Sequence, residues 1–177
     1  WCNIEIENQG DKVAGNAHEF TLYIDGKAVT DLDIPEEVVE IKSNTFANCK
    51  GLKSVTFHDG LKKIDENAFR NCQGLSKISL PKSITQLAKN SFAENEGLRE
   101  LHIEMRLTGS VYDNAFTKCY NLDTVTVNED NTVLTVYNNI VYKKNRTEVV
   151  YVPLNFQGVA VLPEELVTVK TDAFNGR

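Results

Sequence analysis

Phe46, Phe69, Phe92 and Phe116 follow one another at intervals of 23, 23 and 24 residues. A fixed period of this size restricts the chain to stacked units that bury one continuous core. The rest of the unit repeats with the phenylalanine. A leucine follows six residues later (Leu52, Leu75, Leu98, Leu122), then an alternating apolar pair: Val55/Phe57, Ile78/Leu80, Leu101/Ile103 and Val125/Val127. Five residues before each phenylalanine stands Ile41, Ile64, Leu87 or Val111.

Within one unit, Asn44, Asn67, Asn90 and Asn114 stand two residues before the phenylalanine, as Asp172 does before Phe174. Such side chains accept hydrogen bonds from the free N–H groups of a helix start. Gly51, Gly74, Gly97 and Asn121 precede the leucines, where a left-handed residue after a helical turn is expected. The space between allows only a short helical or 3₁₀ segment. The alternation after the leucine marks a strand with one buried face. The expectation is one strand and one helical turn per coil, with small residues (Thr45, Ala68, Ser91, Ala115, Ala173) letting coils approach closely.

The run NAFRNCQGLSKISLP resembles the BspA-like (Treponema-type) leucine-rich repeat, whose hallmark is AFxxCxxLxxIxIP followed by VxxI. The likeness spans about Ile34 to Val127 and resumes near Leu162. It implies an α/β-type leucine-rich-repeat solenoid, β-dominated and right-handed, with short helical or 3₁₀ turns and a parallel sheet on its concave side. It also implies a bacterial surface or secreted protein that adheres to a host or matrix protein. The hallmark's usual proline follows the strand at Pro81 but is missing after Ile103, where Glu104-Met105-Arg106 predicts a bulged connection.

The organisation read from the chain is an irregular β cap over residues 1–33, four repeats over 34–128, a β-hairpin insertion over 129–161 and a further, truncated repeat over 162–177. In the cap, Cys2, Ile4 and Ile6 alternate like a strand, and Phe20–Ile24 with Ala28–Leu32 read as a hairpin around Asp25-Gly26. The insertion carries three apolar runs, Val133–Tyr137, Ile140–Tyr142 and Val149–Val152. It is similar to the family's DGxLY segment, with Asn139 in the glycine position. LPEELVTVKTDAF then repeats IPEEVVEIKSNTF at an offset of 128 residues.

A net charge of −6 and the lack of a basic stripe argue against a nucleic-acid partner. No apolar run is long enough to span a membrane. The chain begins at Trp1 rather than at methionine, so a processed or cloned fragment is expected, with any signal or anchor outside it. Cys49, Cys72 and Cys119 share one repeat position, where the third coil has Asn95. A position that takes either a thiol or an amide reads as a buried, weakly hydrogen-bonding ladder rather than as disulfide, zinc or redox chemistry. No catalytic constellation and no cofactor motif stands out, so no enzyme is expected.

The repeat assigns the outward strand residues as Ser54, Thr56 and His58; Lys77 and Ser79; Glu100, His102 and Glu104; Thr124, Thr126 and Asn128. Solenoids use such a face for extended recognition. Lys77 is expected beside Glu100. Glu100, His102 and Glu104 are each about 6.6–6.8 Å from the next along a strand, too wide for one small ion. Two alternatives to a protein ligand stand beside it. One is a glycan platform on Tyr137, Tyr142, Tyr151 and Phe156; the other is a spacer within a larger surface protein.

Overall fold

The computed structural model describes residues 4–8, 20–24, 26–108, 111–169 and 173–174. An antiparallel sheet of β1 (Ile4–Asn8), β2 (Phe20–Ile24) and β3 (Lys27–Ala28) leads the chain. The return strand of the hairpin stops at Ala28, and Leu32 belongs instead to β4 (Asp31–Asp33), which pairs in parallel with β6 (Ser54–Thr56). Cys2 and Asp25 lie outside the described residues. Three short strands, β5 (Glu40–Ile41), β7 (Lys63–Ile64) and β9 (Gln86–Leu87), line one side of the stack in parallel. The longer strands β8 (Lys77–Leu80), β10 (Glu100–Ile103) and β11 (Thr124–Val127) form a second parallel sheet, in the order β8-β10-β11. The structure is a β-dominated solenoid of stacked coils with little helix.

The turns carrying the phenylalanines depart from the helical expectation. Among the described residues the α-helix is α1 (Val111–Ala115), in the coil with the longer, 24-residue spacing. Elsewhere the backbone alternates its hydrogen bonds between coils. The N–H groups of Asn44, Phe46 and Asn48 donate to the carbonyls of Glu66, Ala68 and Arg70 on the next coil. Those of Thr45, Ala47 and Cys49 bond within their own turn, three residues back. Asn44, Asn67 and Asn90 have φ of 60°, 57° and 59°, and Asn48 and Asn71 have 66° and 58°. Asparagine occupies these places because it tolerates the left-handed region, not because it caps a helix. Asp172 lies outside the described residues.

The glycines are corrected in the opposite sense. Gly51, Gly74 and Gly97 are not among the positive-φ residues. What Gly74 and Gly97 supply is proximity: a Cβ there would stand 2.6 Å from the Leu52 carbonyl oxygen and 2.1 Å from that of Gln73. Gly51, on the first turn, has open space instead. Asn121, at the same repeat position, reaches back with Nδ2 to the Glu96 carbonyl at 2.9 Å.

Inside the stack, Phe46, Phe69, Phe92 and Phe116 form a column with ring centroids 5.1, 5.3 and 5.3 Å apart. Phe57 meets Phe69 and Phe92 edge-on at 5.6 and 6.3 Å. Cys49, Cys72 and Cys119 are buried free thiols. Cys72 Sγ donates to the Phe46 carbonyl at 3.0 Å and Cys119 Sγ to that of Phe92 at 3.1 Å. Asn95 Nδ2 does the same toward Phe69, at 3.0 Å, and also reaches the Phe92 carbonyl at 2.9 Å. Burial pushes the thiol of Cys49 up to about 11 and that of Cys119 to about 12, with Cys72 raised as well.

Charged side chains fasten neighbouring coils from outside. Glu94 receives Lys118 at 2.9 Å and Arg70 at 2.8 Å, from the coils on either side. Glu40 is held down at about 2 by Lys42 and Lys63, the second of which reaches across from the next coil.

After β11 the chain leaves the period and forms an antiparallel meander of β12 (Leu134–Tyr137), β13 (Ile140–Lys143) and β14 (Val149–Tyr151). Asn138 and Asn139 join the first two strands with φ of 48° and 60°, as a two-residue hairpin turn requires. The meander docks by its interior: Tyr151 is 1 % exposed and lies 6.5 Å from Phe116, at the end of the ring column. The resumed repeat is received here too, through the Val167 and Thr168 N–H groups on the Thr147 carbonyl, each at 2.9 Å.

Phe69→Ala is expected to cost about 3–5 kcal/mol, since it empties the middle of the column, whereas exposed Ser79→Ala should alter stability little. Gly97→Ala should cost about 1–3 kcal/mol by forcing the coils apart, and Gly51→Ala should stay near neutral; urea titrations of the four variants measure this. The thiols of Cys49, Cys72 and Cys119 should label with a maleimide only on unfolding. Asn95 Oδ1 is buried without a hydrogen-bond partner, so Asn95→Cys should raise stability, by about 1 kcal/mol.

Candidate functional site

Because side chains alternate along a strand, the register of the β8-β10-β11 sheet sorts the outward residues into rows. Lys77, Glu100 and Thr124 stand opposite one another, as do Ser79, His102 and Thr126. The intervening Ile78, Leu101 and Val125 are buried. Lys77 Nζ lies 3.3 Å from the Glu100 carboxylate, with both side chains more than half exposed. An exposed pair of this kind contributes little stability, so its charges remain available to a partner. His102 Nδ1 is 2.8 Å from Thr126 Oγ1, and its Nε2 is 3.9 Å from Glu104, just past the end of β10.

Ser54 and Thr56 lie on β6, whose ladder runs to β4 rather than to β8. There Ser54 Oγ donates to Asp31, and this bond, followed by one from Thr30, lowers the Asp31 carboxyl. His58 is not on this face. The strand ends at Thr56, and the imidazole turns into the corner. Its Nδ1 accepts from the Gly60 N–H at 3.0 Å, which leaves Nε2–H to donate to the Val38 carbonyl at 3.1 Å. It fastens a loop.

The sheet face continues into an open groove of about 920 Å³. The sheet side of its lining is His102 and Thr126–Asn128, followed in the chain by Glu129 and Asp130, and Leu134–Val136 with Lys144 make the wall contributed by the segment after β11. Two asparagines to which the sequence reading gave no such role hold that wall. Asn131, 3 % exposed, accepts from the Val133 and Leu134 N–H groups through Oδ1 and donates to the carbonyls of Glu104 and Met105. Asn139 accepts from the Val125 N–H at 2.7 Å and donates to the Asp123 carbonyl. The sequence signal was present at Asn139, in the glycine place of the insertion motif.

Tyr142 and Tyr151 are buried, at 0 % and 1 % exposure, which removes them as a sugar-stacking platform. Tyr137 is half-buried and has the Arg146 guanidinium 5.0 Å above its ring. Among the described residues no group of three or more His, Cys, Asp or Glu side chains suits a metal ion. No helix among them is long and apolar enough to cross a membrane.

A parallel repeat solenoid with a polar strand face and an aperiodic wall defines the class. The BspA type leucine rich repeat region matches residues 22–146 in six copies. The match covers more than half of the chain, and the chain belongs to that family. Its bounds exceed the four coils marked by the phenylalanines, reaching from β2 into the insertion. No match was found among curated proteins. A leucine-rich repeat protein from Eubacterium ventriosum is similar with a TM-score of 0.65 and 22 % identity, over 83 % of this chain and 39 % of its own. The pneumococcal vaccine antigen PcpA is similar with a TM-score of 0.56 and 19 % identity, over 98 % of this chain and 60 % of its own. At these identities the likeness is one of fold, and the chain spans less than two thirds of either protein.

Asn131→Ala should cost about 1–3 kcal/mol, because buried N–H and C=O groups on both sides of the junction lose their partner. Faster amide exchange confined to residues 131–143, measured by mass spectrometry, is the accompanying signature.

Proposed function

We propose that this chain is a non-enzymatic binding module of a bacterial cell-surface or secreted protein, and that it recognises a protein ligand, of host or matrix origin, on its β8-β10-β11 face. The observation that carries this reading is the pair of ordered rows, Lys77–Glu100–Thr124 and Ser79–His102–Thr126, held by a buried core and opening into a groove. Rigid presentation lowers the ordering cost of binding. Family membership supports a surface role, and one protein of similar fold is a vaccine antigen. The buried Tyr142 and Tyr151 weigh against the glycan alternative.

The test is an array of extracellular host and matrix proteins and glycans probed with the wild type and with two double variants, Ser79→Arg/Thr126→Arg and Glu100→Lys/Glu104→Lys. Protein ligands should be bound by the wild type and lose roughly tenfold or more in affinity to either variant, and the interaction should weaken with salt. Glycan hits alone would favour the carbohydrate alternative. Silence throughout would favour a spacer.

A further inference from the structure

The groove lies between two strands that each end a sheet. β11 is the last strand of β8-β10-β11 and β12 the first of β12-β13-β14, and among the described residues no ladder joins them. The direction of the β11 peptide groups is fixed by their partners. The N–H groups of Thr124 and Asn128 donate to Arg99 and Ile103, toward β10. That of Val125 points the other way, to Asn139 Oδ1, while Asn139 Nδ2 donates to the Asp123 carbonyl. The carboxamide of Asn139 thus pairs with β11 as the N–H and C=O of one residue of a following parallel strand would.

By the two-residue period of a strand, the Val125 carbonyl and the Val127 N–H present the same acceptor and donor pair one step further along. There the groove begins: Val127 and Glu129 line it. We propose that an extended peptide segment of the partner adds to β11 at this point, continuing the strand that Asn139 imitates. Alternate side chains of such a segment lie beside Thr126, in the His102 row. Glu129 and Asp130 stand at its end, and Lys144 Nζ is turned to the Glu129 carbonyl at 3.4 Å, so a lysine or arginine on the peptide is the complementary charge. Main-chain pairing of this kind supplies affinity, and the side-chain positions supply selectivity. This inference rests on the strand face being the recognition surface, and narrows its partner to a linear, basic segment.

The probe is a phage-displayed library of linear dodecapeptides panned against the whole 177-residue chain. Enriched sequences should be β-prone and carry lysine or arginine, and a synthetic winner should slow amide exchange over residues 123–129. Val127→Pro removes a donor that joins no ladder among the described residues, a place where proline is tolerated, and should weaken the winner at least roughly tenfold. Glu129→Gln/Asp130→Asn, which spares the backbone, should weaken it severalfold even if the proline variant melts early. Winners bound equally by both variants overturn the proposal. So does self-association in sedimentation that Val127→Pro abolishes, since the occupant is then a second copy. Array ligands that depend on Ser79 and Thr126, with no peptide enriched, overturn this inference and leave the broader reading standing. Failure of both ligand types overturns both.

Discussion

The whole architecture depends on how each coil hands its hydrogen bonds to the next. In the turns around the phenylalanines, alternate N–H groups serve their own coil and the following one, so every second peptide ties the stack together. That alternation requires left-handed residues, and asparagine meets the requirement at modest cost. Once the backbones are held in this way, the phenyl rings have little choice but to stack, and the side chain three residues later meets the preceding coil's carbonyl. Core, turn and thiol ladder are therefore one arrangement seen at three depths.

A repeating unit of this type has no natural end. Its last strand exposes unpaired peptide groups that invite further pairing, with other chains as readily as with its own. The meander after β11 answers that problem with side chains in place of another coil. Asn131 closes the junction beneath, and Asn139 occupies one peptide position on the strand edge. The result is a wall beside the ordered polar face, and the groove lies between that wall and a sheet to which no ladder joins it among the described residues. Periodicity makes the platform; the interruption of periodicity makes it a concavity.

This division explains how much could be read in advance. The phenylalanine period, the buried alternation and the Lys77–Glu100 pairing follow from local spacing, and spacing is what a sequence displays. The role of Asn44 and Asn67 was misread because one residue type suits both a helix cap and a left-handed turn. Gly74 and Gly97 were misread for a parallel reason: glycine marks both backbone freedom and close approach. His58 failed differently, since the two-residue alternation was carried past the end of its strand at Thr56. The groove was out of reach altogether, because it depends on how an aperiodic segment docks, through contacts such as Asn131 to Met105 that span 26 residues.

The interchange of cysteine and asparagine along the ladder has a consequence for where such a chain can fold. The position asks for a hydrogen-bond donor and is indifferent to whether sulfur provides it. Thiols held protonated by burial are poor nucleophiles, so neither disulfide exchange nor mild oxidants find a purchase once the coils close. The folded covalent state of these three positions is then the same in a reducing compartment and in an oxidising one. Transit between the two demands no oxidase, no isomerase and no change of partner for any of the three buried sulfurs.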